Sequence, residues 1–245
     1  MSDLLFPTLD EPYNGALRSC VEQIFRDYDV VAIIASGTII RGTPDRRSDL
    51  DIHTLHRGRF RERVQAFHNG VPVELFVNPP DRIPSYFLEE AHDRRPMTAH
   101  MFATGVLIYD PTGVGVELIE EAKRTLQLLP EANLTKPQPA FYGPATQFED
   151  ADDLAERDPE GAALILGNAV WELVRCRFLS EPDWLPRGKD TLARLRQIDP
   201  ESAELAIRAT LAGEFKDRLE AARKLCLRIT GTDGFFEWRS PRETV

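Results

Sequence analysis

This chain of 245 residues contains no uninterrupted apolar run of 18 or more, so no segment has the length a membrane-spanning helix needs. Its amino terminus, Met1-Ser2-Asp3-Leu4-Leu5-Phe6-Pro7, lacks the basic and long apolar stretches of a signal peptide, and a cytoplasmic location is expected. Cysteine is scarce. Cys20, Cys176 and Cys226 are scattered and form no C-x-x-C pair, which argues against a zinc site or a disulfide framework and leaves core packing as their role. A basic surplus is also missing: the formal charge is −10. Residues 1–135 hold 14 basic and 20 acidic side chains and residues 136–245 hold 16 and 20, so both halves are acidic. A nucleic-acid backbone is usually bound in a basic groove, and this balance weighs against DNA or RNA as a partner. No internal repeat or low-complexity segment is evident.

What is present is a chain rich enough in hydrophobic residues, at 42%, to bury real cores in one large domain or two small ones. Residues 14–28 have helical spacing, and the short apolar segment 30–35 reads as a buried strand. Further strands are expected at 49–55, 71–77 and 105–109, with helices at about 59–68, 84–94 and 114–129. The first half is therefore mixed α/β. Pro130, Pro137, Pro139, Gly143 and Pro144 mark a linker near 130–145, which places one domain at 1–135 and another at 136–245. Beyond the linker the strand signal disappears. Segments 149–157, 160–180, 188–197, 200–212 and 214–229 are rich in Ala, Leu, Glu and Arg, as expected for an all-α helical bundle. The tail with Phe235, Phe236 and Trp238 is expected to pack back on one of the domains.

The chemistry concentrates in the first half. Val30 to Ala35 lead into Ser36-Gly37-Thr38; Asp49-Leu50-Asp51 opens a new apolar run, and Glu74 interrupts another, Val71 to Val77. On a strand, Asp49 and Asp51 would share one face about 6 to 7 Å apart, close enough to share metal ions. A lone carboxylate in a strand as apolar as 71–77 is costly unless a cation or donors compensate it. Three acids and a small-residue turn suggest metal-dependent phosphoryl chemistry.

Gly37-Thr38, Arg41-Gly42, Ser48-Asp49-Leu50-Asp51 and the later strand acid Glu74, in this order after a strand, resemble the signature of the polymerase-β-type nucleotidyltransferase superfamily. The resemblance covers about residues 15–110. It implies an α+β nucleotidyltransferase domain with a small mixed sheet, followed by the helical domain, as in the minimal and aminoglycoside nucleotidyltransferases. Asp49, Asp51 and Glu74 would then be the catalytic and metal-binding residues for two Mg²⁺ ions, with Glu74 as third ligand or general base. Ser36, Gly37 and Thr38 would hold the nucleotide, with Thr38 at a helix amino terminus offering its hydroxyl and amides to phosphate. Lys189, before a helix of the second half, resembles the lysine with which some relatives grip the triphosphate. By the resemblance, the substrate would be ATP or another NTP and the acceptor a small molecule of the aminoglycoside kind, which would make the protein an antibiotic-modifying enzyme. Thr38 in place of Ser keeps the hydroxyl, and Glu74 in place of Asp resembles the antibiotic-modifying branch.

Several residues carry competing readings. Arg57, Arg59, Arg61 and Arg63 are expected on a solvated helix face. His53 continues the strand face of Asp49 and Asp51 and is expected to be partly exposed at a strand end. Asn168, Glu172 and Arg175 form a stripe that either faces a cleft, with Glu172 a second candidate base, or is a solvent face with a Glu172–Arg175 ion pair. Glu149, Asp150, Asp152 and Asp153 cluster near the linker, where acidic helix starts are common. The alternatives to the leading function are a protein-modifying adenylyltransferase of the antitoxin type and a non-catalytic nucleotide-binding module; an arginine on the metal position would mark the latter. Monomer and homodimer both remain open.

Overall fold

The computed structural model describes residues 4–132, 139–239 and 242, and the chain divides into two compact units, Met1–Leu128 and Leu129–Val245. The first begins with helix α1 (Tyr13–Asp27), whose Leu17, Cys20, Val21 and Ile24 recur at helical spacing and are buried on one face. Four strands follow: β1 (Val30–Ser36), β2 (Leu50–His56), β3 (Glu62–His68) and β4 (Val71–Asn78). Helices α2 (Ile83–His92) and α3 (Met97–Thr104), strand β5 (Val106–Tyr109) and helix α4 (Val114–Gln127) complete the unit.

The strands form one mixed sheet in the order β3-β4-β2-β1-β5. Only β2 and β4 run parallel; the other neighbours are antiparallel. Because strand side chains alternate between faces, the sheet builds two cores. One face places Ile33, Ala35, Leu50, Ile52, Leu75 and Val77 against α1. The opposite face places Ala32, Ile34 and Leu55 among Ile83 and Phe87 of α2, Phe102 of α3 and Leu118 of α4. Coverage on both sides explains why β1 reads as a nearly continuous apolar run.

Residues 59–68 are not the expected helix. Phe60, Val64 and Phe67 stand at helical spacing, but residues 62–68 form β3 and pair with β4 from Glu62↔Val77 to His68↔Val71. The two-residue turn Asn69-Gly70 that joins the strands has positive φ at both positions, 49° and 80°, the geometry of a tight hairpin. Arg57–Arg63 consequently lie on a loop and a strand rather than on a helix face. Arg57 pairs with Asp29 at 2.6 Å, and Arg61 interacts with Tyr86.

In the second unit the described residues contain α5 (Pro139–Leu154), α6 (Pro159–Leu179), α7 (Thr191–Ile198), α8 (Pro200–Leu211) and α9 (Phe215–Thr230) around a core that includes Phe141, Phe148, Leu166, Leu173 and Leu225. Asp158 and Asp199 cap α6 and α8, accepting bonds from the amides of Gly161 and Ser202, and a proline follows each cap. Helix α5 starts inside the expected linker, whose Pro137 lies outside the described residues. Pro144 sits within α5 and cannot donate to the carbonyl of Ala140; the Cys176 thiol donates to that oxygen instead, at 3.4 Å. The three cysteines are buried and free. Phe236 packs on the helical core, and the rings of Phe235, Phe236 and Trp238 meet Tyr142 of α5. No helix among the described residues is long and apolar enough to cross a membrane.

Candidate metal and nucleotide site

Strand register sets the site. Asp51 of β2 lies opposite Ser36 of β1 on one side and Glu74 of β4 on the other, and Glu74 in turn lies opposite Gln65 of β3. These four share one face and form a row across the sheet. The next row on that face is Ile34, His53, Phe76 and Arg63. Asp49 lies one alternation outward from Asp51, ahead of β2.

Carboxylate oxygens of Asp49, Asp51 and Glu74 lie within 4.8 Å of one another. Burial pushes the Asp51 carboxyl up to about 6, the negative charges of Asp49 and Glu74 add to the shift, and Arg41 and Arg63 oppose it. A donor set made only of carboxylate oxygens suits a hard cation such as Mg²⁺, whose charge would relieve this mutual repulsion. The three residues can therefore hold a metal ion.

Backbone geometry at Gly37 brings the turn onto this cluster. Its φ is +96°, and a Cβ there would stand 2.8 Å from Oδ2 of Asp51, so only glycine lets the carboxylate lie against the turn. Ser36 is buried, and its hydroxyl donates to the Asp51 carbonyl at 3.4 Å. Thr38 does not open a helix as expected: residues 38–42 form turns, closed by Arg41 N–H to Gly37 O at 3.2 Å and Thr43 N–H to Thr38 O at 2.9 Å. The Thr38 and Ser48 hydroxyls share a hydrogen bond at 2.7 Å, and Ser48 Oγ also accepts from the Asp45 amide at 2.7 Å. The loop between the turn and Asp49 is thereby tied back on itself.

Two residues missed in the sequence complete the immediate surroundings. Oε1 of Glu74 accepts from Gln65 Nε2 at 2.7 Å and from Arg63 Nε at 2.8 Å, and a second Arg63 nitrogen reaches the same oxygen. Reading β3 as a helix hid them. With the Asn69-Gly70 turn recognised, the period of two from Arg63 to Gln65 would have placed both beside Glu74. Arg63 reaches Glu74 from β3, on the side away from Asp51, and the three carboxylates still converge.

His53 is not partly exposed. It is 2% exposed, its ring stacks on Phe76 at 4.7 Å and 13°, and Phe102 lies 4.8 Å away. Burial pushes its imidazole down to about 3. Nε2 lies 3.2 Å from the Met101 sulfur, and Nδ1 has no partner among the described residues.

The remaining candidates lie in the second unit. Glu172 and Arg175 form the ion pair at 3.0 Å, while Asn168 donates to Gln147 at 2.9 Å. Lys189 occupies a short 3-10 turn, Gly188–Asp190, beside the Arg187–Asp190 pair. Of the acidic cluster, Asp152 pairs with Arg223 at 2.5 Å and Glu149 accepts from the Phe235 amide at 3.1 Å.

The five-stranded mixed sheet with its flanking helices is a nucleotidyltransferase-like fold. The chain is similar to the crystal structure of a nucleotidyltransferase-like protein from Exiguobacterium sibiricum 255-15, with a TM-score of 0.53 and 16% identity over 88% of this chain and 73% of that one. At that identity the likeness speaks for the fold. No protein-family model and no curated protein matches the chain.

Proposed function

We propose that this protein is a metal-dependent nucleotidyltransferase that moves a nucleoside monophosphate, AMP from ATP, onto a hydroxyl of a small-molecule acceptor. The observation that carries this reading is the convergence of Asp49, Asp51 and Glu74 within 4.8 Å, against a glycine turn that ends the preceding strand. In the reaction the acceptor oxygen forms a bond to the α-phosphorus, the bond from that phosphorus to the bridging oxygen breaks, and pyrophosphate leaves.

Asp49, Asp51 and Glu74 would hold Mg²⁺, two ions by the resemblance. When bound, the metal neutralises phosphate charge and lowers the pKa of the acceptor hydroxyl. Gly37 and Thr38 would offer backbone amides and a hydroxyl to the triphosphate, and Gly37 keeps Asp51 in place. Glu74 is either the third ligand or the base that takes the acceptor proton. Lys189 is assigned to the triphosphate on the resemblance alone; Glu172, the alternative base suggested by its helix stripe, is paired with Arg175. An aminoglycoside-like acceptor is favoured by the net charge of −10, which suits a polycationic molecule. An antibiotic-modifying role would follow from that acceptor class.

The second reading, a non-catalytic nucleotide-binding module, is favoured by one observation, the Arg63 guanidinium on Glu74. It leaves the convergence of the three acids without a purpose. The test is transfer of label from α-labelled ATP, GTP, CTP and UTP to a panel of aminoglycosides and lincosamides with Mg²⁺. Transfer that disappears in Asp49→Asn supports the enzyme. Nucleotide binding with no labelled acceptor shifts the reading to a protein target or a binding module.

A further inference from the structure

The two oxygens of Glu74 are not equivalent. Oε1 receives N–H donors from both Arg63 and Gln65, whereas Oε2 accepts no hydrogen bond among the described residues. The donors stand on the edge strand β3, so they grip the carboxylate from the side away from Asp51. Arg63 is itself placed by a stack across three strands. Its guanidinium carbon lies 5.1 Å from the centroid of Phe76, and Phe76 is stacked on buried His53. The row His53–Phe76–Arg63 thus sets the cation that grips the adjacent row Asp51–Glu74–Gln65.

The geometry points to Arg63 and Gln65 as positioning residues that fix Glu74 as a one-oxygen metal ligand through Oε2, an assignment that rests on the metal-dependent reading above. A carboxylate with one oxygen saturated by fixed donors presents the other in a single direction, without the freedom to swing between one- and two-oxygen coordination. Outer partners of metal ligands commonly act in this way, and their loss costs about 10- to 100-fold in metal affinity or activity. Under this assignment Glu74 is a ligand and not the base, so the acceptor proton leaves to another group.

Mn²⁺ binding to the full chain, followed by electron paramagnetic resonance, tests the assignment. Gln65→Leu removes a donor without changing charge, and Arg63→Lys keeps the charge but loses the planar fork. Each variant is expected to bind Mn²⁺ about tenfold more weakly, to regain transfer at raised metal concentration, and to keep its melting temperature in chelator. Mn²⁺ affinity within twofold of the wild type in both variants would overturn the positioning role, as would tighter binding in Gln65→Leu. If the wild type binds no Mn²⁺ at all, the metal-dependent reading fails first and takes this assignment with it. A drop in melting temperature with unchanged Mn²⁺ affinity would make the contacts merely structural.

Discussion

Asp51 and Glu74 stand directly opposite one another across the parallel pairing of β2 and β4, with their side chains on the same face of the sheet. Burial raises the Asp51 carboxyl to about 6, and the negative charges of Asp49 and then of Glu74 on the neighbouring strand add to the shift. The arrangement favours binding of a cation over stability of the metal-free fold. The parallel pair exists because the chain crosses to the outer strand β3 before β4 returns between β3 and β2. That crossing also delivers Arg63 and Gln65 to the far side of Glu74.

Asp51→Asn removes the group that suffers most from this crowding. In chelator the variant is expected to be more stable than the wild type by about 1 kcal/mol, as when a strained functional site is neutralised. Its metal-dependent transfer is expected to fall by at least about 100-fold. Denaturant melts in chelator and transfer assays with Mg²⁺ check the two halves separately.

Gly37→Ala forces a Cβ to within 2.8 Å of Oδ2 of Asp51 and imposes φ +96° on an L-residue. The backbone cost is about 1–2 kcal/mol. Moving a reacting group by about 1 Å costs about 100-fold in rate. The variant is expected to remain folded by circular dichroism while losing transfer on that scale.

His53 is expected to stay neutral throughout the physiological range, because burial pushes its imidazole down to about 3. Its ring proton resonances should not move between pH 5 and 8 in a nuclear magnetic resonance titration. An unfolded histidine titrates near about 6.5. The unfolded chain therefore binds the extra proton first, and the contribution of this residue to stability shrinks as pH falls below that value. A midpoint near 6.5 in the native protein would contradict the buried placement.

Much of the site was legible because it depends on short-range pattern. The period of two in Asp49-Leu50-Asp51, the lone acid in Val71 to Val77 and the turn at Gly37 each state a local requirement of strand geometry. The strands near 30–36, 50–56, 71–78 and 106–109 were equally visible as short apolar runs. What failed was period and context. Phe60, Val64 and Phe67 imitate a helix, and the outcome is decided by the Asn69-Gly70 turn and by pairing with β4, a tertiary effect. The burial of His53 depends on Phe76 and Phe102, which arrive from another strand and from α3. The start of α5 reads as a linker because Pro139, Gly143 and Pro144 resemble punctuation, but the Cys176 thiol accommodates the carbonyl that Pro144 leaves without a backbone donor.

Asp199 ties the second unit together. Burial opposes its ionisation, but the guanidinium of Arg228, the amide and hydroxyl of Ser202 and the guanidinium of Arg177 outweigh burial and hold it well below the usual carboxylate range. Its stabilisation is present in full above the unfolded carboxyl pKa of about 3.9 and is lost as pH falls below that value. Asp199→Asn is expected to cost about 2–4 kcal/mol at pH 7, since it leaves two arginines without their shared partner. The variant should also flatten the acid limb of the stability profile, measured by urea melts from pH 3 to 7.

The most direct test of the account is calorimetric titration of a non-hydrolysable ATP analogue into the protein, with and without Mg²⁺, for the wild type and for Asp51→Asn. The account predicts binding that strengthens with Mg²⁺ in the wild type and loses that dependence in the variant. Binding that ignores both Mg²⁺ and the substitution, or no binding by the folded wild type, would contradict the assignment of Asp49, Asp51 and Glu74 as a metal and nucleotide site.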